Sequence, residues 1–315
     1  MEDIKIISSE SLGVRGLCTV VETKNRKIII DPGIALGYHR HGLLPHPAQI
    51  AVDEIIREKI IRHMEDSTDI VFSHYHGDHV PLVEANPYQL SIEKVKKALF
   101  RSEIWAKGFE NDSHKMQQRA WNLIFNSNKF KEAEGKDDGI IHCSFAVPHG
   151  KKDSHLGTVM MTQIRLKSKV FIHASDIQFL FDKTIDEIIK LGADIVLASG
   201  PPLYLSHIGE EILAIAEKNI KRLSSKVETL IIDHHLLRSE RGLEWLRKIN
   251  KEVNNRIITS ADYMGLKPQL LEAKREELYE VMPVPDSWHE DYKNNRVKTR
   301  EYLLKARELL DFFVY

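Results

Sequence analysis

The most constraining feature of this 315-residue chain is one run of six residues that follows an apolar segment: His74-Tyr75-His76-Gly77-Asp78-His79. The segment Asp69–Ser73 is apolar enough to predict a buried strand, so the run begins where that strand ends. Three imidazoles and a carboxylate so close together would be costly to bury unless a cation compensates them. Alternation along the strand end lets His74 and His76 point to one side, while Asp78 and His79 turn toward a neighbouring position. The run therefore predicts a metal site in which a single loop supplies ligands to two metal positions.

Short β-rich runs recur along the whole chain, and helical patterns separate the later ones. The predicted strands are Ile4–Ser8, Cys18–Thr23, Lys27–Ile30, Asp69–Ser73, Ile140–Val147, Val159–Leu166, Val170–Ala174, Asp194–Ala198, Thr229–Ile232 and Ile257–Thr259. The N-terminal third has hairpin-like spacing, and the polar triplet Lys167–Lys169 predicts a further tight turn between two strands. Two such halves, stacked sheet on sheet with helices outside, predict one α/β domain over residues 1–315, a four-layer αββα sandwich.

A polar stretch at residues 87–136 has helical periodicity over Ser91–Lys107 and Ser113–Lys131 and interrupts this alternation. It predicts either a helical insertion that forms a cap or lid, or a plain crossover made of two helices.

A second helical region follows the domain, at residues 266–315. It predicts a C-terminal helical extension with helices at Pro268–Glu280 and Asp291–Asp311. The apolar side chains that would pack it onto the domain, or onto a second copy of the chain, are Tyr302, Leu303, Leu310 and Phe313.

The run at 74–79 resembles the signature of the metallo-β-lactamase superfamily. The resemblance implies three further metal ligands at strand ends, in the order His, Asp, His. The chain offers His149 after one predicted strand, Asp176 after the next, and His234 after Asp233 at the end of a third. The implied ligand set is His74, His76 and His149 for one metal and Asp78, His79 and His234 for the second, with Asp176 bridging both.

Two details of this assignment differ from the family pattern or stay open. Ser175 stands where the family usually has glycine before the bridging aspartate. His235 is an alternative to His234 as the last ligand, although the strand-plus-one-polar-residue pattern favours His234. An all-nitrogen-and-oxygen set suits zinc first, with iron and manganese behind it. Two such divalent metal ions would activate a bridging hydroxide as nucleophile, which Asp78 could also orient.

Several other residues are candidates for the same site. Asp31, in an Asp-Pro-Gly sequence, is predicted either to support the ligand loop by hydrogen bonds or to make a simple turn. The loop Gly33–Pro47 is predicted either to bind an anionic substrate or to be a solvated surface loop. The candidate substrate-binding residues are His39, Arg40, Ser199 and Tyr204, and the candidate proton-transfer residues are His207 and His235.

Composition narrows the partners and the location. The formal net charge is −1, which disfavours a surface that attracts nucleic acid overall but leaves a local basic groove open. Cys18 and Cys143 do not predict a disulfide framework. The chain begins without a signal-peptide layout and has no apolar run of about 18–20 residues. We expect a cytoplasmic protein that binds no membrane, and a homo-oligomer stays open.

The resemblance implies a metal-dependent hydrolase but does not identify its substrate. The positive charge of two divalent cations and of Arg40 favours a small anionic ester, and we expect a phosphoester first. A nuclease of the same superfamily is an alternative, but the spacing from Asp176 to His234 is too short for the large inserted domain of many nucleic-acid-processing members. A redox member is a second alternative, although diiron reductases usually carry a glutamate where this chain has His76. A non-enzymatic binding protein is the third, but such members typically lose ligands.

Overall fold

Two six-stranded β-sheets form the framework of the chain, of which a computed structural model describes residues 2–152, 155–205, 208–254 and 256–310. The strands of the first sheet lie in chain order: β1 (Asp3–Ile6), β2 (Thr19–Glu22), β3 (Lys27–Ile30), β4 (Asp69–Phe72), β5 (Glu103–Ala106) and β6 (Lys129–Glu132). The strands of the second sheet also lie in chain order: β7 (Ile141–Pro148), β8 (Thr158–Arg165), β9 (Val170–His173), β10 (Ile195–Ala198), β11 (Thr229–Ile232) and β12 (Ile257–Ile258). The ten strands predicted from the sequence are all present.

The two sheets follow the same plan. In each sheet the first three strands pair antiparallel, and each later strand adds in parallel to the one before it. The predicted tight turn at 167–169 closes the β8–β9 hairpin, where the Leu166 amide donates to the Lys169 carbonyl over 2.9 Å. Parallel neighbours need crossover connections, and helices provide them in both sheets.

Helices flank both sheets, which gives the predicted four-layer α/β architecture. The helices are α1 (Pro47–Glu65), α2 (Ile92–Arg101), α3 (His114–Phe125), α4 (Asp182–Leu191), α5 (Glu210–Ser224), α6 (Glu240–Glu252), α7 (Ser260–Tyr263), α8 (Arg275–Val281), α9 (Trp288–Lys293) and α10 (Arg300–Leu310). Within the described ranges, no helix combines the length and the apolar character that crossing a bilayer requires.

The second sheet is buried on both faces, as its alternating side chains show. Ile195 and Leu197 of β10 join the apolar cluster that includes the first sheet. Val196 and Ala198 of the same strand join a second cluster, together with side chains of α4, α5 and α6. Strand periodicity of two residues thus divides the apolar side chains between two layers of core.

The segment at 87–136 is only partly as predicted. Helices α2 and α3 are present, but the predicted helical runs Ser91–Lys107 and Ser113–Lys131 each extended over a strand, β5 and β6. Both strands add in parallel to the edge of the first sheet. Each is four residues long, and charged residues at Glu103, Lys129 and Lys131 hide the apolar pattern. The segment therefore extends a sheet and its helical layer.

The C-terminal extension packs against the domain, but not as one long helix. The prediction of a helix over Asp291–Asp311 is wrong, because α9 ends at Lys293 and Asn295 adopts φ 56° before α10 begins. Tyr302 is buried in the core that includes the first sheet, and His46 at the start of α1 contacts the Met282 carbonyl over 2.9 Å. The predicted helix at 268–280 begins only at Arg275. Phe313 and the side chain of Leu310 lie outside the described residues.

Candidate metal centre

The loop after β4 is held in place by the carboxylate of Asp31, which follows β3. This carboxylate accepts hydrogen bonds from the Ser73 amide over 2.8 Å and from the Ser73 hydroxyl over 2.5 Å. Its Oδ2 lies 2.9 Å from Nδ1 of His79. A Cβ at Gly33 would lie 2.3 Å from the backbone of His79, so glycine is required for this close approach. The Asp31–Gly33 turn and the loop at 74–79 therefore form one packed unit.

The predicted ligand residues of both sheets meet at one point. His74 and His79 come from the loop after β4, while His149 directly follows β7 and Asp176 lies three residues after β9. Oδ2 of Asp176 lies 3.5 Å from Nε2 of His74, 3.3 Å from Nε2 of His79 and 3.2 Å from Nε2 of His149. Nδ1 of His76 lies 3.0 Å from Nε2 of His74. These five side chains form the core of a histidine–aspartate cluster at the contact of the two sheets.

A second group of potential ligand atoms lies beside the first. Nε2 of His234 is 3.4 Å from Oδ2 of Asp78 and 3.7 Å from Oδ1 of Asp176. Asp78, His79 and His234 offer ligand atoms within 4.8 Å of one another, as do His74, His76, His149 and Asp176. Asp176 thus contacts side chains of both groups and stands between them.

The backbone around the cluster is strained at three places. Asp31, Ser175 and His234 have positive φ values of 49°, 52° and 43°, a region that residues other than glycine rarely adopt. The Ser175 value explains why glycine suits this position before the aspartate. The serine hydroxyl is used, since it lies 2.7 Å from the Ser73 hydroxyl and donates to Asp31 over 3.2 Å. The serine that replaces glycine here therefore takes part in a hydrogen-bond network, which sequence patterns do not reveal.

His234 and His235 both reach the cluster. Nε2 of His235 lies 3.4 Å from Oδ2 of Asp176, and the two imidazoles stack with centroids 4.6 Å apart. The two histidines differ in the groups that their Nδ1 atoms contact. Nδ1 of His235 lies 3.4 Å from the Ser199 hydroxyl, while the Gly16 amide approaches Nδ1 of His234 over 3.4 Å. His234 is the one that also contacts Asp78.

The buried Asp233 carboxylate fixes the strand end that carries both histidines. It accepts hydrogen bonds from the amide and the hydroxyl of Ser11, from the Ser260 amide over 2.9 Å and from the His234 amide over 2.8 Å. Four donors from three segments hold this one side chain, so the position of His234 depends on the N-terminal segment and on α7 as well as on β11.

The cluster contains buried polar atoms that the described protein groups leave without hydrogen bonds. They are Nε2 of His79, both ring nitrogens of His149 and both carboxylate oxygens of Asp176. Buried polar atoms in folded proteins normally have partners, and an unpaired buried carboxylate is costly. Cations coordinated at this point would satisfy both Asp176 oxygens and one ring nitrogen each of His79 and His149, so the donor set fits divalent metal ions.

The protonation states also suit metal coordination. Burial, reinforced by the charge of His79, lowers the pKa of His74 to about 4. Burial and the neighbouring His74 lower the pKa of His76 to about 2. Burial alone would raise the pKa of Asp31, but the hydrogen bond and charge of His79 outweigh it and bring it to about 2. The same balance, with His79 and His235 as the main partners, holds the pKa of Asp176 well below its usual range. His74 and His76 are therefore neutral beside ionised carboxylates, as metal coordination requires. His79 differs, because Asp176 and Asp31 outweigh its burial and raise its pKa well above the usual range, so it must release a proton when it binds a metal.

A buried arginine that the sequence analysis missed touches the cluster. Nη2 of Arg238 lies 2.9 Å from Nε2 of His234 and 3.3 Å from Oδ2 of Asp78. Its Nε donates to Glu10 over 2.9 Å and its Nη1 to the Tyr204 hydroxyl over 3.3 Å. Arg15 lies in the same network, with Glu272 as its acidic partner. No local pattern in the sequence pairs Arg238 with Glu10.

The residues predicted to bind substrate are only partly brought to the site. Tyr204 lines a pocket beside the cluster, and buried Ser199 lies behind His235. Among the described residues that line this pocket, neither His39 nor Arg40 occurs. Arg40 instead donates to the Arg238 carbonyl over 2.9 Å and stacks on the Tyr204 ring, and His39 is exposed. His207 lies outside the described residues.

The pocket has a volume of about 670 Å³ and opens directly onto the cluster. His76, Asp78, His149 and His235 form the side that belongs to the cluster. A pocket of this size accommodates a small molecule, and its contents would lie against the potential ligand atoms. The arrangement can therefore bring a substrate into contact with bound metal ions.

Comparison with known proteins places the chain in a family. No family model matches the sequence. The chain is 43% identical over 302 residues to a UPF0282 protein of Methanosarcina mazei, across 96% of this chain and 99% of the relative. It is 34% identical to a UPF0282 protein of Pyrococcus horikoshii, across 87% of this chain and 92% of that protein. The chain belongs to the UPF0282 family. The similarity extends over at least 92% of the length of both relatives.

A solved structure identifies the fold of this UPF0282 chain. Tm1679, a metal-dependent hydrolase of the β-lactamase superfamily, superposes with a TM-score of 0.50 at 12% sequence identity. The match covers 82% of this chain and 96% of Tm1679. The UPF0282 chain thus has the metallo-β-lactamase fold that the run at 74–79 indicated, with its histidine–aspartate cluster where the two sheets meet.

Proposed function

We propose that this UPF0282 protein is a metal-dependent hydrolase that acts on an ester, first of all a phosphoester. The observation that carries the proposal is the environment of Asp176. Its buried carboxylate has four imidazole Nε2 atoms, those of His74, His79, His149 and His235, within 3.5 Å of one oxygen. Neither oxygen has a hydrogen-bond partner among the described residues. A carboxylate with this surrounding suits a bridge between two cations.

The proposed ligands divide into two sets that share Asp176. One set is the all-imidazole group His74, His76 and His149, and the other is Asp78, His79 and His234. Nitrogen and oxygen donors without a cysteine favour zinc, with iron and manganese as alternatives. We propose His234 as the last ligand because it contacts Asp78, which His235 does not.

Divalent cations bound here would lower the pKa of water and polarise the ester. The chain's own residues supply the rest. Asp78 is ionised, and it can orient a water molecule from the side of the cluster that faces the pocket. His235 is held at Nδ1 by Ser199 and lines the pocket with its cluster side, so we propose it as the group that moves a proton to or from the substrate.

The charges around the pocket favour a phosphoester over a neutral ester. Arg15, Lys151, Lys152 and Arg238 line it beside the cluster. Cations near a phosphoryl group stabilise the charge that grows in the transition state. We propose that the charge of Arg238 stabilises the phosphate, the role that the sequence predicts for Arg40.

The decisive experiment measures metal content and turnover together. We expect the purified protein to hold about two transition-metal ions per chain and to hydrolyse phosphodiesters or phosphomonoesters in a panel that also contains thioesters and lactones. Asp176→Asn should lower kcat by about three orders of magnitude or more, because the neutral amide cannot bridge two cations. Elemental analysis and the activity panel check both expectations.

The matched control is Asp182→Asn, which removes an exposed carboxylate paired with Lys218 on the same half of the molecule. This variant should keep the metal content and the turnover of the wild type. Full turnover by Asp176→Asn, or by protein freed of metal, would reject the proposed function.

A further inference from the structure

The pocket beside the cluster has two walls of opposite character. Its apolar wall comes from three segments of the second half of the chain, with Leu180 after β9, Pro202 and Leu205 after β10, and Ile212 on α5. Leu180, Leu205 and Ile212 are only half-buried, so their aliphatic atoms face the open pocket. Half-buried aliphatic side chains grouped in one concave surface are a common feature of ligand sites.

The facing wall is cationic and partly rigid. Arg15 and Arg238 are fixed by buried acids, Glu272 and Glu10 respectively. Tyr204 completes this wall and accepts a hydrogen bond from Arg238. Because these guanidinium groups are already oriented, the two arginine side chains would lose little conformational entropy when an anionic group binds beside the cluster.

We propose that the substrate is an amphiphilic phosphoester, with its phosphate between the cluster and the arginines and a hydrocarbon portion along the apolar wall. The inference rests on the proposed function and adds the class of the rest of the substrate. A small polar phosphoester would leave the aliphatic wall in contact with water, whereas an alkyl portion buries it. Each buried methylene strengthens binding by about fourfold at full burial, and by about twofold on a wall that stays half-exposed.

The test uses alkylphosphonates, which carry the anionic group but cannot be hydrolysed at the C–P bond. Ethyl-, butyl-, hexyl- and octylphosphonate are titrated into the zinc-loaded protein by isothermal titration calorimetry. We expect the affinity to rise about two- to fourfold for each added methylene until the wall is covered. An alkyltrimethylammonium ion of the same length should bind at least tenfold more weakly than the phosphonate.

Two substitutions test the wall itself. Leu205→Asn and Ile212→Asn should each flatten the dependence on chain length while leaving ethylphosphonate binding within about twofold of the wild type. Leu304→Asn makes the same chemical change at an exposed leucine on α10 and should alter neither quantity. Ile212→Ala is a milder second variant, and thermal melting confirms that each protein is folded.

The outcomes separate the two proposals. An affinity that is independent of alkyl chain length, or a chain-length dependence that neither wall substitution changes, would overturn the amphiphilic substrate. The proposed function would still stand in that case if ethylphosphonate binds and phosphoesters are hydrolysed. Equal binding of the alkylammonium ion would overturn the assignment of the cationic wall. Failure of ethylphosphonate to bind, together with no hydrolysis in the panel, would instead reject the proposed function.

Discussion

The two halves of the cluster are built differently. The half with His74, His76 and His149 presents only imidazoles to Asp176. The half with Asp78 and His234 includes an acidic side chain and is touched by a buried arginine. Arg238 contacts the same two atoms, Nε2 of His234 and Oδ2 of Asp78, that a second cation would use.

This difference indicates that the two proposed metal positions are unequal. A guanidinium is charged at every accessible pH, and it competes with a cation for the lone pairs of its neighbours. We therefore expect the all-imidazole position to bind its metal more tightly than the position beside Arg238. We therefore expect Arg238 to influence metal affinity as well as to line the pocket.

The largest expected effect comes from removing one ligand of each half. His234→Ala should keep about one metal per chain after dialysis, because the tighter position is intact. His149→Ala should keep well below one, since only the weaker position remains. Elemental analysis of the dialysed proteins measures both values, and both variants should lose at least about a hundredfold in turnover. Equal metal retention by the two variants would contradict the inequality.

A smaller effect, in the opposite direction, should follow from Arg238→Gln. Loss of the guanidinium charge should raise the affinity of the second position about tenfold, which corresponds to about 1.4 kcal/mol. Competition with a chromogenic chelator measures this affinity. Arg15→Gln is the matched control, because Arg15 is also paired with a buried acid but does not contact the ligand atoms. Weaker metal binding by Arg238→Gln would show that the arginine supports this position.

The smallest effect is expected for glycine at Ser175, a strained position beside the all-imidazole half. Ser175→Gly relieves the cost of positive φ, about 1 kcal/mol, but loses two hydroxyl contacts of about 1 kcal/mol each. We expect the free energy of unfolding to fall by about 1 kcal/mol or less. Ser175→Ala keeps the strain and loses the contacts, so the free energy of unfolding of this variant should fall by about 2 kcal/mol. Urea denaturation of the metal-free proteins measures both, and a larger loss for glycine would refute this account.

Features formed by residues close together in the chain could be predicted from the sequence, whereas features formed by distant residues could not. The run at 74–79 and the strand ends before His149, Asp176 and His234 are visible because ligands and strand are adjacent in the chain. The edge strand at 129–132 was missed because its charged residues suit the edge of a sheet and resemble a helix surface.

Long-range partners are the features that no local pattern reveals. Glu10 and Arg238 are 228 residues apart in the chain, yet they form a buried ion pair beside the cluster. The same holds for Arg15 and Glu272, which are separated by 257 residues. Their pairing follows from the docking of the two halves of the fold, so only the folded structure identifies them.

Because both sheets contribute side chains to one cluster, metal binding there would affect how the two sheets pack together. Ligand atoms from the loop after β4 belong to the first sheet, and those of His149 and Asp176 belong to the second. A cation bound among them would add a cross-link between two layers that also meet through apolar side chains and through hydrogen bonds such as that from Ser175 to Asp31. Metal uptake and docking of the layers are then coupled equilibria. We therefore expect conditions that loosen the contact between the sheets to release bound metal, and a chelator to loosen that contact in return.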